Sequence, residues 1–177
     1  MFKQKSVYLF PALVLLFLSL VTTASTVGTR AEAQSGDISQ SQELTVYIHA
    51  LKSKDGHTVM TADQIEWYEG AEADRIFAER EPDAAAELGG TPDGYYIVND
   101  SDSLTSYPIA DNAAVTMQIY DHTGHMEDLD INWNEHISLD KFISEFAKTG
   151  IIDLSQSPYH ITIQAGKVTS IVQQYTP

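Results

Sequence analysis

Along the chain, Leu44–Leu51 (LTVYIHAL) has the β-branched and aromatic content of a strand, and a second extended run follows at Thr58–Tyr68. Lys54-Asp55-Gly56-His57 between them is turn chemistry, so the pattern predicts a hairpin. The period then changes. Ile76 and Phe77 among alanines and charged residues predict a modest helix over Ala71–Arg80, which Pro82 ends while opening a further short helical turn through Ala84–Leu88. Thr91-Pro-Asp-Gly94 reads as a turn, Tyr95–Val98 as a short strand, Asn99–Ser103 as a polar loop and Leu104–Ile109 as another short extended piece. Over Ala113–Tyr120, Val115, Met117 and Ile119 alternate with Thr116, Gln118 and Tyr120, the signature of a half-buried strand. The clearest helix spans about 138–148: Ser138 caps it, Asp140 suits its first turn, and Leu139, Phe142, Ile143 and Phe146 fall at i, i+3, i+4 and i+7, with Gly150 as its stop. Tyr159–Gln164 and Val168–Tyr175 flank Ala165-Gly166 as a C-terminal hairpin. The expected fold is α+β: a small, mostly antiparallel β-sheet or barrel with one clear amphipathic helix (about 138–148) and a weaker one (about 71–80).

The N-terminal pattern is of another kind. Lys3 and Lys5 precede an apolar run, Tyr8–Val21, that suits an export signal but is short for a membrane span, and Ala31-Glu32-Ala33 places small residues where a signal peptidase cuts. Residues 1–33 are therefore expected to be a signal peptide, polar 34–43 a flexible leader, and 44–177 a single globular domain. No cysteine follows the apolar run, so a lipid anchor is not expected, and the protein reads as secreted.

Charge sharpens this reading. The whole chain carries −15; losing Lys3, Lys5, Arg30 and Glu32 with the signal leaves seven basic and 24 acidic side chains, a formal charge of −17. A surface so negative repels phosphates and anionic lipid, so neither nucleic acid nor, after processing, a membrane is an expected partner. The same charge favours a soluble monomer.

Candidate chemistry concentrates in Asp121–His136 (DHTGHMEDLDINWNEH). His122 and His125 with Glu127 or Asp121 form a ligand set that zinc, nickel or copper accepts, though Gly124 marks a turn and the H-E-x-x-H helix is absent. Asp128, Asp130, Asn132 and Asn134 at alternate positions resemble the first half of a calcium loop, but Trp133 stands where that loop needs Gly and Leu139 where it needs Glu. A strand with Leu129, Ile131 and Trp133 on its other face gives the same alternation. The metal candidates are thus His122, His125, Glu127, Asp128, Asp130 and Asn132, with Ca²⁺ or Zn²⁺ as the possible cofactor. No catalytic residue is assigned: a G-x-S-x-G elbow, an S-x-x-K pair, a P-loop and a dinucleotide fingerprint are all missing, and Glu66, Glu69, Asp128 and Asp130 are bare carboxylates without a known separation. His49 and His160 lie in apolar strand runs and are expected to be structural. Of the aromatics Trp67, Tyr68, Tyr95, Tyr96, Tyr107, Tyr120, Trp133, Tyr159 and Tyr175, most are expected in the core, while an exposed Trp or Tyr would stack on sugar rings or anchor an interface.

Asp63-Gln-Ile-Glu-Trp-Tyr68, the Glu72-Ala-Asp74 region, Gly94-Tyr-Tyr-Ile-Val-Asn99 and the ending Val168–Pro177 resemble a group of small secreted or lipoprotein domains of Gram-positive bacteria. The resemblance implies extracellular location and single-domain architecture; the group has no established activity, so it lends no functional residue. Residues and resemblance together point to a non-enzymatic extracellular domain that binds a cation, cell-wall polymer or secreted protein. The alternatives are a small hydrolase or metal-dependent enzyme, or a protease inhibitor presenting Asn99–Ser103 or Thr91–Gly94.

Overall fold

The computed structural model describes residues 41–177. The expected signal peptide and residues 34–40 of the expected leader lie outside the described residues, whereas Gln42 and Glu43 already belong to the first strand. Strands β1 (Gln42–Lys54) and β2 (His57–Glu69) form the expected hairpin. Asp55 and Gly56 both have positive φ, 52° and 78°, and this type I′ geometry matches the right-handed twist of the flanking strands. Helices α1 (Gly70–Arg80) and α2 (Pro82–Leu88) and strand β3 (Tyr95–Val98) follow. Strand β4 (Leu104–Met117) then leads to β5 (Glu135–Ile137), α3 (Leu139–Phe146), β6 (Pro158–Gln164) and β7 (Lys167–Gln173).

Five of the strands close on themselves in the order β1-β2-β4-β7-β6, and β6 returns to β1. Every pair in this ring is antiparallel except β4–β7, which is parallel. With α3 inserted between the third and fourth barrel strands, this is the Greek-key connectivity of an OB-type barrel. Closure removes the exposed edges that an open five-stranded sheet would present. The interior is filled by Val46, Ile48, Met60, Ala62, Val115, Met117, Ile161 and Ile171, each at most 1% exposed, with Tyr159, Leu154 and Phe142 of α3 in the same cluster. Ser138 caps α3 as expected, its Oγ accepting the Lys141 N–H at 3.1 Å. The helix stops at the Ala147 cap, short of the expected 148 and of Gly150.

Other differences have clear local causes. The two extended pieces expected at Leu104–Ile109 and Ala113–Tyr120 are one strand, β4, whose register against β7 breaks between Ile109 and Ala114; this bulge at exposed Asp111-Asn112 interrupts the alternation in sequence without ending the strand. His49 is exposed at a register shift in β1, not a core histidine, whereas His160 is structural as expected, bridging Thr45 Oγ1 and Gln174 Oε1 at 3.0 Å each. Asp128–Asn134 is not a strand: a 3₁₀ turn at Met126–Asp128 and irregular chain occupy it, and its alternation carries no sheet face. The aromatics do not lie mostly in the core. Tyr120 and Tyr159 are buried and half-buried Tyr107 packs against the core, but Trp67, Tyr68, Tyr95, Tyr96 and Tyr175 are half-buried outside it and Trp133 is 65% exposed. Among the described residues no helix is long and apolar enough to cross a membrane.

Candidate functional site

Two excursions leave the barrel. The first, α1-α2-β3, packs on β2: Phe77 of α1 meets Tyr96 of β3 with ring centres 5.4 Å apart, and Arg80 clamps Asp100 through paired bonds of 2.8 and 2.7 Å that hold the Asp100 carboxyl below its usual range. Beyond Asp63, β2 leaves β4 and turns to pair with β3, and this fork leaves a recess of about 310 Å³ lined by Asp63, Glu66, Asp100 and the hydroxyls of Ser101, Ser103 and Thr105. Asp63, 5% exposed, accepts from Asn99 Nδ2 at 2.6 Å through Oδ2, while its Oδ1 is buried without a hydrogen-bond partner among the described residues.

The second excursion, residues 118–134 between β4 and β5, holds the stretch singled out in the sequence. Three side chains fix its ends. Gln173 of β7, 1% exposed, accepts the backbone N–H groups of Gln118 and Ile119 at 2.8 and 3.0 Å through one oxygen. Gln118, also buried, receives the Asn134 N–H on its side-chain oxygen and the Asn132 N–H on its carbonyl, both at 2.8 Å. Glu135 accepts from the Tyr120 hydroxyl at 2.6 Å and lies 2.9 Å from His122 Nε2. His122 Nδ1 faces the Tyr120 carbonyl at 3.0 Å. Both imidazole nitrogens thus face acceptors, and both bonds form together only when the ring carries two protons. The Tyr120 hydroxyl bond, chiefly, and the His122 contact hold the Glu135 carboxyl below its ordinary value; burial and Glu135 push the Tyr120 hydroxyl up.

These bonds place the candidate metal residues. His122 engages Glu135 rather than His125. Asp128 accepts from Thr123 Oγ1 at 3.0 Å, Asp130 from the Ile131 N–H at 2.8 Å, and Asn132 donates its N–H to Gln118. Glu127 belongs to the exposed 3₁₀ turn. Among the described residues no three His, Asp or Glu side chains gather in a way that could hold a metal ion. Of the bare carboxylates, Glu66 and Glu69 each accept a bond from an aromatic neighbour, Tyr68 and Trp67 respectively.

What the pinned loop does present is Trp133. Asn134 takes φ 58°, a left-handed turn that asparagine tolerates, and Trp133 just before it stands edge-to-face with Tyr175, centres 5.4 Å apart and planes at 79°. The two rings border a recess of about 340 Å³ lined by Gln118, Asn134, Val172, Gln173 and Gln174, none of them charged. Tyr175 and Gln174 also border an adjoining recess of about 470 Å³ with Ile119, Ile152 and Gln156, where Asp153 has its carboxylate engaged by Ser155. By contrast, the β2–β4 face, the surface that barrels of this connectivity use for oligonucleotides and oligosaccharides, carries a recess lined by Lys52, Ser53, Val59, Thr61 and Ser106, without an aromatic.

The sequence marks Trp133 and Tyr175 only as two aromatics among many, and gives Gln118 and Gln173 no role at all. One signal for Gln173 was there: in β7 it occupies the inward phase two residues after Ile171, where a polar side chain must find a buried partner. No family model matches the chain, and no curated protein or solved structure is similar to it at a significant level.

Proposed function

We propose that this protein is a secreted, non-enzymatic binding domain acting outside the cell, with the Trp133–Tyr175 rim as its contact surface. One observation carries the reading: a tryptophan 65% exposed on a loop whose ends are fixed by buried glutamine bonds. Exposing a large apolar ring to water is unfavourable, and a ring held in place by its support loses little freedom when a ligand covers it. The recesses the rim borders are shallow and open, and the one beneath Trp133 has no titratable carboxylate, imidazole or amine in its wall, so it offers a surface for contact rather than acid–base groups for turnover. The export pattern at Met1–Ala33 and the charge of the remaining chain support extracellular location and disfavour nucleic acid and lipid.

The test is cosedimentation of the purified protein with isolated Gram-positive cell walls, followed by assay of the supernatant for released sugar and peptide. Saturable retention without release is the expected result. Steady release of soluble fragments would make the protein a hydrolase instead.

A further inference from the structure

Resting on that reading, we propose that the Trp133–Tyr175 rim binds a neutral saccharide. Charge selects the ligand first. In a chain with 25 acidic residues the recess beneath Trp133 has no charged side chain in its lining, so it gains nothing from a cation, while the surrounding domain repels polyanions such as nucleic acids and acidic polymers. A neutral ligand meets neither penalty. Shape selects next: the edge-to-face contact props Trp133 against Tyr175, and Trp133, 65% exposed, keeps open apolar ring surface for the C–H face of a pyranose.

Hydrogen bonding completes the match. Gln118 and Gln173 are committed to the backbone and form the rigid base, whereas the Trp133 indole N–H and the Tyr175 hydroxyl point to no protein partner among the described residues. Hydroxyl and acetamido groups of a sugar satisfy a donor and a donor–acceptor of this kind. The neighbouring recess, which shares Gln174 and Tyr175 in its lining and has the Asp153 carboxylate engaged by Ser155, adds room for a second ring, which favours an oligosaccharide over a monosaccharide. A protein partner needs a larger buried area, on the order of 800 Å² from each side, than the two rings provide.

The chain has two tryptophans, and Trp67 is stacked on Tyr95 with its Nε1 bonded to Glu69, so a Trp67→Phe variant reports on Trp133 alone. Its emission is titrated with maltohexaose, cellohexaose and chitohexaose, and with hexagalacturonate as the charged control. The expected result is a saturable change with at least one neutral hexasaccharide and none with hexagalacturonate. Affinity measured by calorimetry should fall by about tenfold or more in Trp133→Ala and in Tyr175→Ala, with unfolding midpoints unchanged. Absence of binding by all three neutral sugars, or binding of the charged sugar alone, overturns the saccharide assignment; if wall retention persists and is lost in Trp133→Ala, the rim then serves a protein or other wall component. Neutral-sugar binding that survives both substitutions overturns the site but leaves the binding reading standing.

Discussion

Two recesses of nearly equal size, about 310 Å³ at the fork of β2, β3 and β4 and about 340 Å³ beneath Trp133, are built on opposite principles. The first gathers Asp63, Glu66 and Asp100 and leaves a buried carboxylate oxygen of Asp63 without a donor among the described residues. The second has no charged side chain in its lining and uses the neutral amides of Gln118 and Gln173 to accept the N–H groups of Gln118, Ile119 and Asn134. Buried amides can give and accept at once and carry no desolvated charge, whereas a carboxylate needs donors from its surroundings and is costly where they are missing. The neutral recess is therefore the rigid one and the acidic notch the strained one, and substitutions should separate the two.

The largest effect is expected from Gln173→Leu. It keeps much of the side-chain volume but strips the Gln118 and Ile119 N–H groups of their shared acceptor, and at about 1–3 kcal/mol for each orphaned donor the loss should be about 3 kcal/mol in urea unfolding. Amide exchange at Gln118 and Ile119 should accelerate at the same time. A loss below about 1 kcal/mol would mean that water replaces the glutamine and that the base of the rim is not rigid.

The notch should respond less, and in two directions. Asn99→Ala removes the one side-chain donor to Asp63 among the described residues and leaves a buried carboxylate without it, so a loss of about 2 kcal/mol is expected. Asp63→Asn removes the charge while keeping an oxygen for Asn99, and the change should be neutral or stabilising by about 1 kcal/mol. If both variants lose stability equally, the Asp63 carboxylate is not strained and the contrast between the recesses fails.

The same contrast explains what was legible in the sequence. The β1–β2 hairpin, its Asp55-Gly56 turn, the α1 and α3 helices and the Ser138 cap all rest on neighbours within a few residues, and each was readable. A barrel was one of the two expected forms, but its closure could not be told from an open sheet, because the parallel β4–β7 pairing joins Ile109 to Val168 across the chain and nothing local encodes it. The rim depended on bonds such as Gln173 to Gln118, 55 positions apart. Meanwhile the dense His and carboxylate stretch at Asp121–His136, the most conspicuous chemistry in the sequence, spends His122 on Glu135 and Asp128 on Thr123 within the loop itself. Composition marked this loop by its density of ligand-type side chains, but it cannot distinguish groups that bond each other from groups left free for a ligand.

The smallest effect is expected at the outer pin of that loop, and it should depend on pH. The Glu135 carboxyl is held below its ordinary value in the folded protein, first by the Tyr120 hydroxyl and then by His122, so the stabilisation it gives is present above the unfolded carboxyl's pKa and is lost as pH falls through the depressed folded value. Glu135→Gln should therefore destabilise the fold slightly near neutrality, by no more than about 1 kcal/mol because the side chain is 32% exposed, seen as a small drop in the midpoint of thermal unfolding, and the difference from wild type should vanish in acid. Because the His122–Glu135 contact is an ion pair when the ring is protonated, 0.5 M salt should shrink the difference further, while the Gln173→Leu loss should hardly change with salt or pH. A Glu135→Gln effect as large and as salt-insensitive as that of Gln173→Leu would place the fixing of the loop on the charged pin rather than on the amides, and the neutral base would no longer account for the exposed Trp133.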